Sequence, residues 1–238
     1  MSAVFGGGGM TAREVLVARR EPLGLVIFDC DGVLVDSEPV ANRVVSEFVT
    51  AAGWAMTAAA CEERFIGLNL EAMVPLIEAE LGRALPGDWV MRLTERLVEV
   101  LEVESVPIWG AIGALRGVTG LGLPWRVASN SSHQEMRAKF GCIGIGDLVA
   151  GRVHSYTDVA HGKPAPDLFL AAAAAEGVGP AACVVIEDSA TGARAAAAAG
   201  MLCLGYAPEG DGARLRSEGA YLFGNMGELP ELIAVTIR

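Results

Sequence analysis

Asp29 and Asp31 lie two residues apart in the run Phe28-Asp29-Cys30-Asp31-Gly32-Val33-Leu34-Val35-Asp36, directly after the apolar stretch Leu25-Val26-Ile27. An apolar run that ends in acids reads as a buried strand whose carboxyl end opens onto a ligand crevice, where a charge meets solvent while the strand behind it stays dry. Two carboxylates in that place suit a divalent cation and a phosphoryl group. Asp-x-Asp-Gly is equally an ordinary turn sequence, so the pair gains its meaning from three other segments. These are Ser129-Asn130-Ser131 after Trp125-Arg126-Val127-Ala128, Lys163 within Gly162-Lys163-Pro164-Ala165-Pro166-Asp167, and Glu187-Asp188 after Val184-Val185-Ile186. Each sits at or just beyond a predicted strand end, and together they bring acids, hydroxyls and an ammonium. An acidic helix start is the competing reading of Glu187-Asp188, and a solvated surface side chain that of Lys163.

The elements that must position these groups follow from the pattern around them. Strand-like runs at Leu25–Asp29, Val127–Ser129, Val184–Glu187 and Leu202–Tyr206 alternate with helical ones, which predicts an α/β fold: a Rossmann-like parallel sheet core with helices on both faces. Between the first two strands lies a long insert with helical runs and no strand-like run, so an inserted α-helical cap domain is expected. One helix follows Ser37 as N-cap, tolerates Pro39 in its first turn and ends near Gly53. A second places Leu70, Met73, Val74, Ile77 and Leu81 on one stripe between Asn69 and Gly82, with Pro75 expected to kink it. A third begins near Gly87 and turns Val90, Leu93, Leu97 and Leu101 to one side. Alanine-rich helices are expected from near Pro166 to Gly177 and up to Gly200. The resulting division is a flexible leader over 1–22, opening on Gly6-Gly7-Gly8-Gly9 with Met10 as a possible start, a core domain over 23–36 and 111–238, and a cap over 37–110.

Read with their spacing, Phe28 to Glu38, Gly162 to Asp167 and Glu187-Asp188-Ser189 make the chain resemble the haloacid dehalogenase superfamily, in the branch with a helical cap, and especially its phosphatases and β-phosphoglucomutase-like members. The resemblance runs from about Leu25 to the C-terminus; in the cap it is one of helical character alone. It implies that Asp29 attacks phosphorus to form an aspartyl phosphate. Asp31 would protonate the leaving oxygen and later activate water, for which it must keep a proton near neutral pH, a state the charge of Asp29 favours. Asp29, a backbone carbonyl at Asp31, Glu187 and Asp188 would hold one Mg²⁺. Ser129, the amides that follow it and Asn130 would bind the phosphoryl oxygens, and Lys163 would offset their charge. Arg64 and Asn69, in a segment Arg64-Phe65-Ile66-Gly67-Leu68-Asn69 like the family's specificity loop, are candidates to touch a sugar-like leaving group.

Retention of Asp31 favours phosphate-ester over carbon–halogen chemistry, because the family's dehalogenases replace that acid. Mutase-like members carry a His where this chain has Ala41, so hydrolysis of a small phosphorylated metabolite, with a sugar phosphate foremost, is expected over phosphomutase activity. A receiver-type phosphoacceptor switch is disfavoured by the insert and by the second acid, and a silent binding module by the intact set of acids and lysine. With 238 residues, 52% of them hydrophobic and 20% charged, the chain can bury a sizeable core. A net charge of −11 and the lack of a basic stripe argue against nucleic acid, and no apolar run approaches a spanning helix. The five scattered cysteines read as reduced thiols of a cytoplasmic protein. Cys30, flanked by acids, is a poor nucleophile, and His133, His154 and His161 match no zinc pattern.

Overall fold

Leu25, Val26, Ile27 and Phe28 are all fully buried, as four consecutive apolar residues must be when helices cover both faces of their sheet. The computed structural model describes residues 10–65, 68–210 and 212–237. Its strands are β1 (Leu25–Phe28), β2 (Val35–Asp36), β3 (Val106–Pro107), β4 (Trp125–Ser129), β5 (Val153–Ser155), β6 (Cys183–Glu187), β7 (Leu202–Tyr206) and β8 (Tyr221–Phe223). Its α-helices are α1 (Ala12–Val17), α2 (Glu38–Ala52), α3 (Ala58–Phe65), α4 (Leu70–Leu81), α5 (Trp89–Glu104), α6 (Ala111–Gly120), α7 (His133–Cys142), α8 (Gly146–Val149), α9 (Asp167–Ala175), α10 (Ala190–Ala198), α11 (Ala213–Ser217) and α12 (Leu229–Ala234).

Six strands pair in the order β5-β4-β1-β6-β7-β8, every pairing parallel. The period of two along β1 splits its side chains between two apolar layers. Val26 and Phe28 join Leu115, Val118, Trp125 and Phe140 on one face, where Phe28 meets Trp125 edge to face at 6.3 Å. Leu25 and Ile27 join Phe169, Ala172, Ala193 and Ala196 on the other. The alanines of α9 and α10 thus let those helices lie close to the sheet. Full burial of an aromatic such as Phe28 is worth about 1.5–3 kcal/mol, so the strand that presents Asp29 is firmly anchored.

Helices α2 to α5 bury a cluster of their own around Val44, Phe65, Ile77, Leu93 and Leu97, joined by Ala138 from α7. Gly53 and Gly82 end α2 and α4 in the left-handed conformation, as their positions predict. Pro75 sits inside α4 without ending it. The expectation that the insert holds no strand is corrected: β2 and β3 pair antiparallel, Val35 opposite Pro107 and Asp36 opposite Val106, and so clamp the two ends of the insert together. Strands of two residues leave too short a pattern to read. The leader is also corrected in part. Residues 1–9 lie outside the described residues, but Thr11 starts α1 with a capping box, and Ala12 and Leu16 pack into the main core.

Candidate active site

The parallel register decides what meets at the carboxyl edge of the sheet. Phe28 lies opposite Val127 of β4 and Ile186 of β6, so Asp29, Ser129 and Glu187, each at or just past those positions, emerge side by side. The Asp29 amide continues the ladder by donating to the Ile186 carbonyl at 2.9 Å. Lys163 arrives from the loop before α9. Its backbone is gripped by Asn130, whose Oδ1 accepts from the Lys163 amide at 2.9 Å and whose Nδ2 donates to the Lys163 carbonyl at 3.0 Å. A Cβ at Gly162 would come within 2.7 Å of Asn130 Oδ1, so this close approach requires glycine.

Lys163 is 7% exposed. It donates to Asp29 Oδ1 at 2.8 Å and to Glu187 Oε1 at 2.7 Å. Burial alone would depress its pKa, but the facing charges of Asp29 and Glu187 outweigh that and hold it above the ordinary lysine value. The other Glu187 oxygen accepts from the Ser189 amide at 2.9 Å and from its hydroxyl at 2.8 Å. Burial raises Asp29 to about 7 against the pull of Lys163, and the charges of Glu187 and Asp31 add to the rise. Burial, then Glu187 and Asp29, push Asp188 well above the usual carboxylate range.

Asp29, Glu187 and Asp188 each present an oxygen, all within 4.8 Å of one another. No hydrogen bond from the described residues reaches the Asp188 carboxylate. Three crowded acids, of which Asp29 and Asp188 have raised pKa values and Asp188 is unpartnered among the described residues, are what a hard, oxygen-seeking divalent cation relieves. The residues therefore fit Mg²⁺.

Asp31 departs from expectation. Its Oδ1 accepts from the Lys139 ammonium at 2.6 Å and from the Ser37 hydroxyl. Its Oδ2 accepts from Ser131 Oγ at 2.8 Å and Ser129 Oγ at 3.3 Å. Burial opposes the charged form, but Lys139 and the hydroxyls prevail and hold the carboxyl below its ordinary pKa. The expectation of a protonated Asp31 at neutral pH is corrected for the free site, because a second buried ammonium, with the Ser37 and Ser131 hydroxyls, outweighs burial. Lys139 is 3% exposed and also donates to Ser131 Oγ at 2.8 Å. Ser37 begins α2 as predicted, yet its side chain makes no cap bond; its hydroxyl serves Asp31 instead.

Lys139, Ser131 and Ser37 are the site residues that sequence reasoning missed. A signal for Lys139 existed. Among 18 basic residues the chain holds only two lysines, Lys139 and Lys163, and both are buried at this site. Where arginine serves everywhere else, a lysine marks a need for a compact point charge.

A cleft of about 530 Å³ separates these groups from the helical insert. Asn69 lines it while capping α4, accepting from the Ala72 amide at 2.9 Å. Arg64 sits exposed on the last turn of α3 and is not part of the cleft wall. Ile66 and Gly67, of the segment predicted to set specificity, lie outside the described residues. Asn130 lines the cleft wall, and its amide clamps the Lys163 loop through Oδ1 and one of its two Nδ2 hydrogens.

A parallel sheet with an acid–lysine cluster at its carboxyl edge and a helical insert after the first strand defines a class of hydrolase. A model of the haloacid dehalogenase-like hydrolases matches residues 23–200, and the chain belongs to that family. It is 27% identical over 210 residues to a 6-phosphogluconate phosphatase of Escherichia coli, covering 87% of this chain and 93% of the relative. It is 30% identical over 192 residues to hexitol phosphatase A of the same organism, covering 79% and 85%. A crystal structure of a conserved haloacid dehalogenase-like protein from Agrobacterium tumefaciens superposes with a TM-score of 0.73 at 33% identity, covering 91% of this chain and all of that one.

Proposed function

We propose that this chain is a Mg²⁺-dependent phosphatase that hydrolyses a small phosphorylated metabolite of the sugar-phosphate kind through an aspartyl-phosphate intermediate. The observation that carries the reading is the convergence of Asp29, Lys163 and Asp188 at one sheet edge beside a cleft. We assign residues 37–110 as the cap domain over a core of residues 23–36 and 111–238.

Asp31, ionised in the free site, takes up a proton when the anionic ester binds beside it; in the first step an Asp29 oxygen then attacks phosphorus, the bond from phosphorus to the ester oxygen breaks, and the leaving oxygen takes that proton from Asp31. In the second, water attacks phosphorus, gives a proton to Asp31, and the bond from phosphorus to Asp29 breaks. With Lys139 and three hydroxyls around it, Asp31 is poised as the base of the second step. Lys163 holds Asp29 in place and balances the charge of Glu187, while Ser129, whose Oγ accepts from the Ser131 amide at 3.0 Å, and the Asn130 amide would serve the oxygens of the transferring group. Asp29, Asp188 and the backbone carbonyl of Asp31 would hold the cation, with Glu187 shared between it and Lys163. When bound, Mg²⁺ supplies positive charge that neutralises the phosphoryl oxygens.

Ala41 lines the cleft from α2 and has no group to carry a proton to a sugar hydroxyl, which favours water over a sugar as the final acceptor. Among the described residues no helix is long and apolar enough to cross a membrane, and the five cysteines are free, which suits a reducing cytoplasm. The test is phosphate release from a panel of sugar phosphates with and without Mg²⁺. Release that needs the cation and is lost in Asp29→Asn is expected. Accumulation of an isomerised sugar phosphate without free phosphate would instead point to a mutase.

A further inference from the structure

The cleft walls beyond the reacting groups carry an uneven charge. Glu38 opens α2, Glu62 lies on α3, Glu71 is in the first turn of α4 and Glu135 in the first turn of α7, and all four line the cavity. Apart from the two lysines already paired with acids, the one basic side chain among the described lining residues is Arg214. We infer that the leaving group this cleft accepts is an uncharged, hydroxyl-rich one such as a hexitol or hexose, and that esters carrying a carboxylate are turned away. The inference rests on the phosphatase reading and narrows its substrate class.

Two physical effects act together. Ionised carboxylates accept hydrogen bonds and donate none, so they match the hydroxyls of a polyol and leave an anionic leaving group unpaired. A carboxylate held among several glutamates is also repelled by each, which is specificity gained by excluding the wrong partner. The engaged groups do not change the sign. Glu135 is held by the Ser132 amide at 2.8 Å and hydroxyl at 2.7 Å, and Glu71 meets the Tyr156 hydroxyl only at 3.5 Å. Burial is the larger cause of the raised pKa of Glu38, and after it Asp31 and Glu62 act on Glu38 as neighbouring negative charges. The cation and Lys163 are committed to the phosphoryl group, which leaves Arg214 against four acids.

The experiment compares kcat/KM for a hexitol phosphate and for 6-phosphogluconate with Mg²⁺ at low salt, with p-nitrophenyl phosphate as a generic ester. The neutral substrate is expected to win by about tenfold or more. The double variant Glu62→Gln/Glu71→Gln should shrink that ratio several-fold through a lower KM for the carboxylated ester, and added salt should shrink it in the wild type. Equal or better use of 6-phosphogluconate, or a ratio that neither the variant nor salt moves, overturns the inference while leaving the phosphatase reading standing. Failure to hydrolyse any of the three esters overturns that reading and the inference with it.

Discussion

Replacing Lys139 with Met keeps the apolar stem and removes the ammonium. The lost contacts are the bonds to Asp31 Oδ1 at 2.6 Å and Ser131 Oγ at 2.8 Å. A charge-assisted hydrogen bond contributes about 1.5–3 kcal/mol net, and stranding a fully buried partner costs about 3–5 kcal/mol. Here the Asp31 side chain is 26% exposed and keeps its hydroxyl donors, so the lower range applies and about 2 kcal/mol is expected. For a chain of this size that is a fall in Tm of roughly 4–8 °C. The pH dependence has a definite sign. Lys139 holds the folded Asp31 below its unfolded pKa, so the contribution is fully present above the unfolded value and fades as pH falls through the folded one. Urea unfolding of wild type, Lys139→Met, Asp31→Asn and the double variant at pH 7 should give a coupling of about 1–2 kcal/mol, and the gap between wild type and Lys139→Met should narrow toward pH 3. Strict additivity, or a gap independent of pH, would refute the pairing.

The acid cluster gives three further expectations. In the presence of a chelator the chain should lose stability as pH rises from about 4 to about 7, by a few kcal/mol, since the unfolded Asp29 releases its proton near the ordinary carboxylate value while the folded one holds it to about 7. Thermal melts across that range check it, and added Mg²⁺ should reverse the loss at the alkaline end. Asp188→Asn removes one of three crowded acids, so it should raise Tm in chelator while abolishing the stabilisation by Mg²⁺, read in paired melts. Gly192→Ala would ordinarily favour helix α10 by roughly 1 kcal/mol, but its Cβ would fall on the Glu187 carboxylate. It should instead destabilise by about 2 kcal/mol or more and lower kcat by disturbing the Glu187–Lys163 contact.

The four segments that build the edge of the site were legible because each couples a buried apolar run to an unusual polar residue, and a parallel sheet has one place for such residues to go. The cap helices were legible from their stripes and glycine stops at Gly53 and Gly82. What was hidden depends on contacts between distant parts of the chain. Asp31 and Lys139 are 108 residues apart, and on α7 a lysine looks like any helix residue until the fold buries it. The same reason explains Ser37, where cap chemistry was the local expectation and Asp31 is the tertiary competitor. Strands β2 and β3 have two residues each, below the length at which alternation is visible. In α1 the cap Thr11 and the buried Leu16 were overshadowed by the glycines that precede them.

The covalent role of Asp29 is tested most directly by acid-quenching the Mg²⁺-loaded enzyme during turnover of a radiolabelled phosphate ester and mapping the label by peptide. Label on the peptide that carries Asp29, absent in Asp29→Asn, is expected. Steady phosphate release with an unlabelled Asp29 peptide, or full activity of Asp29→Asn, would contradict the account.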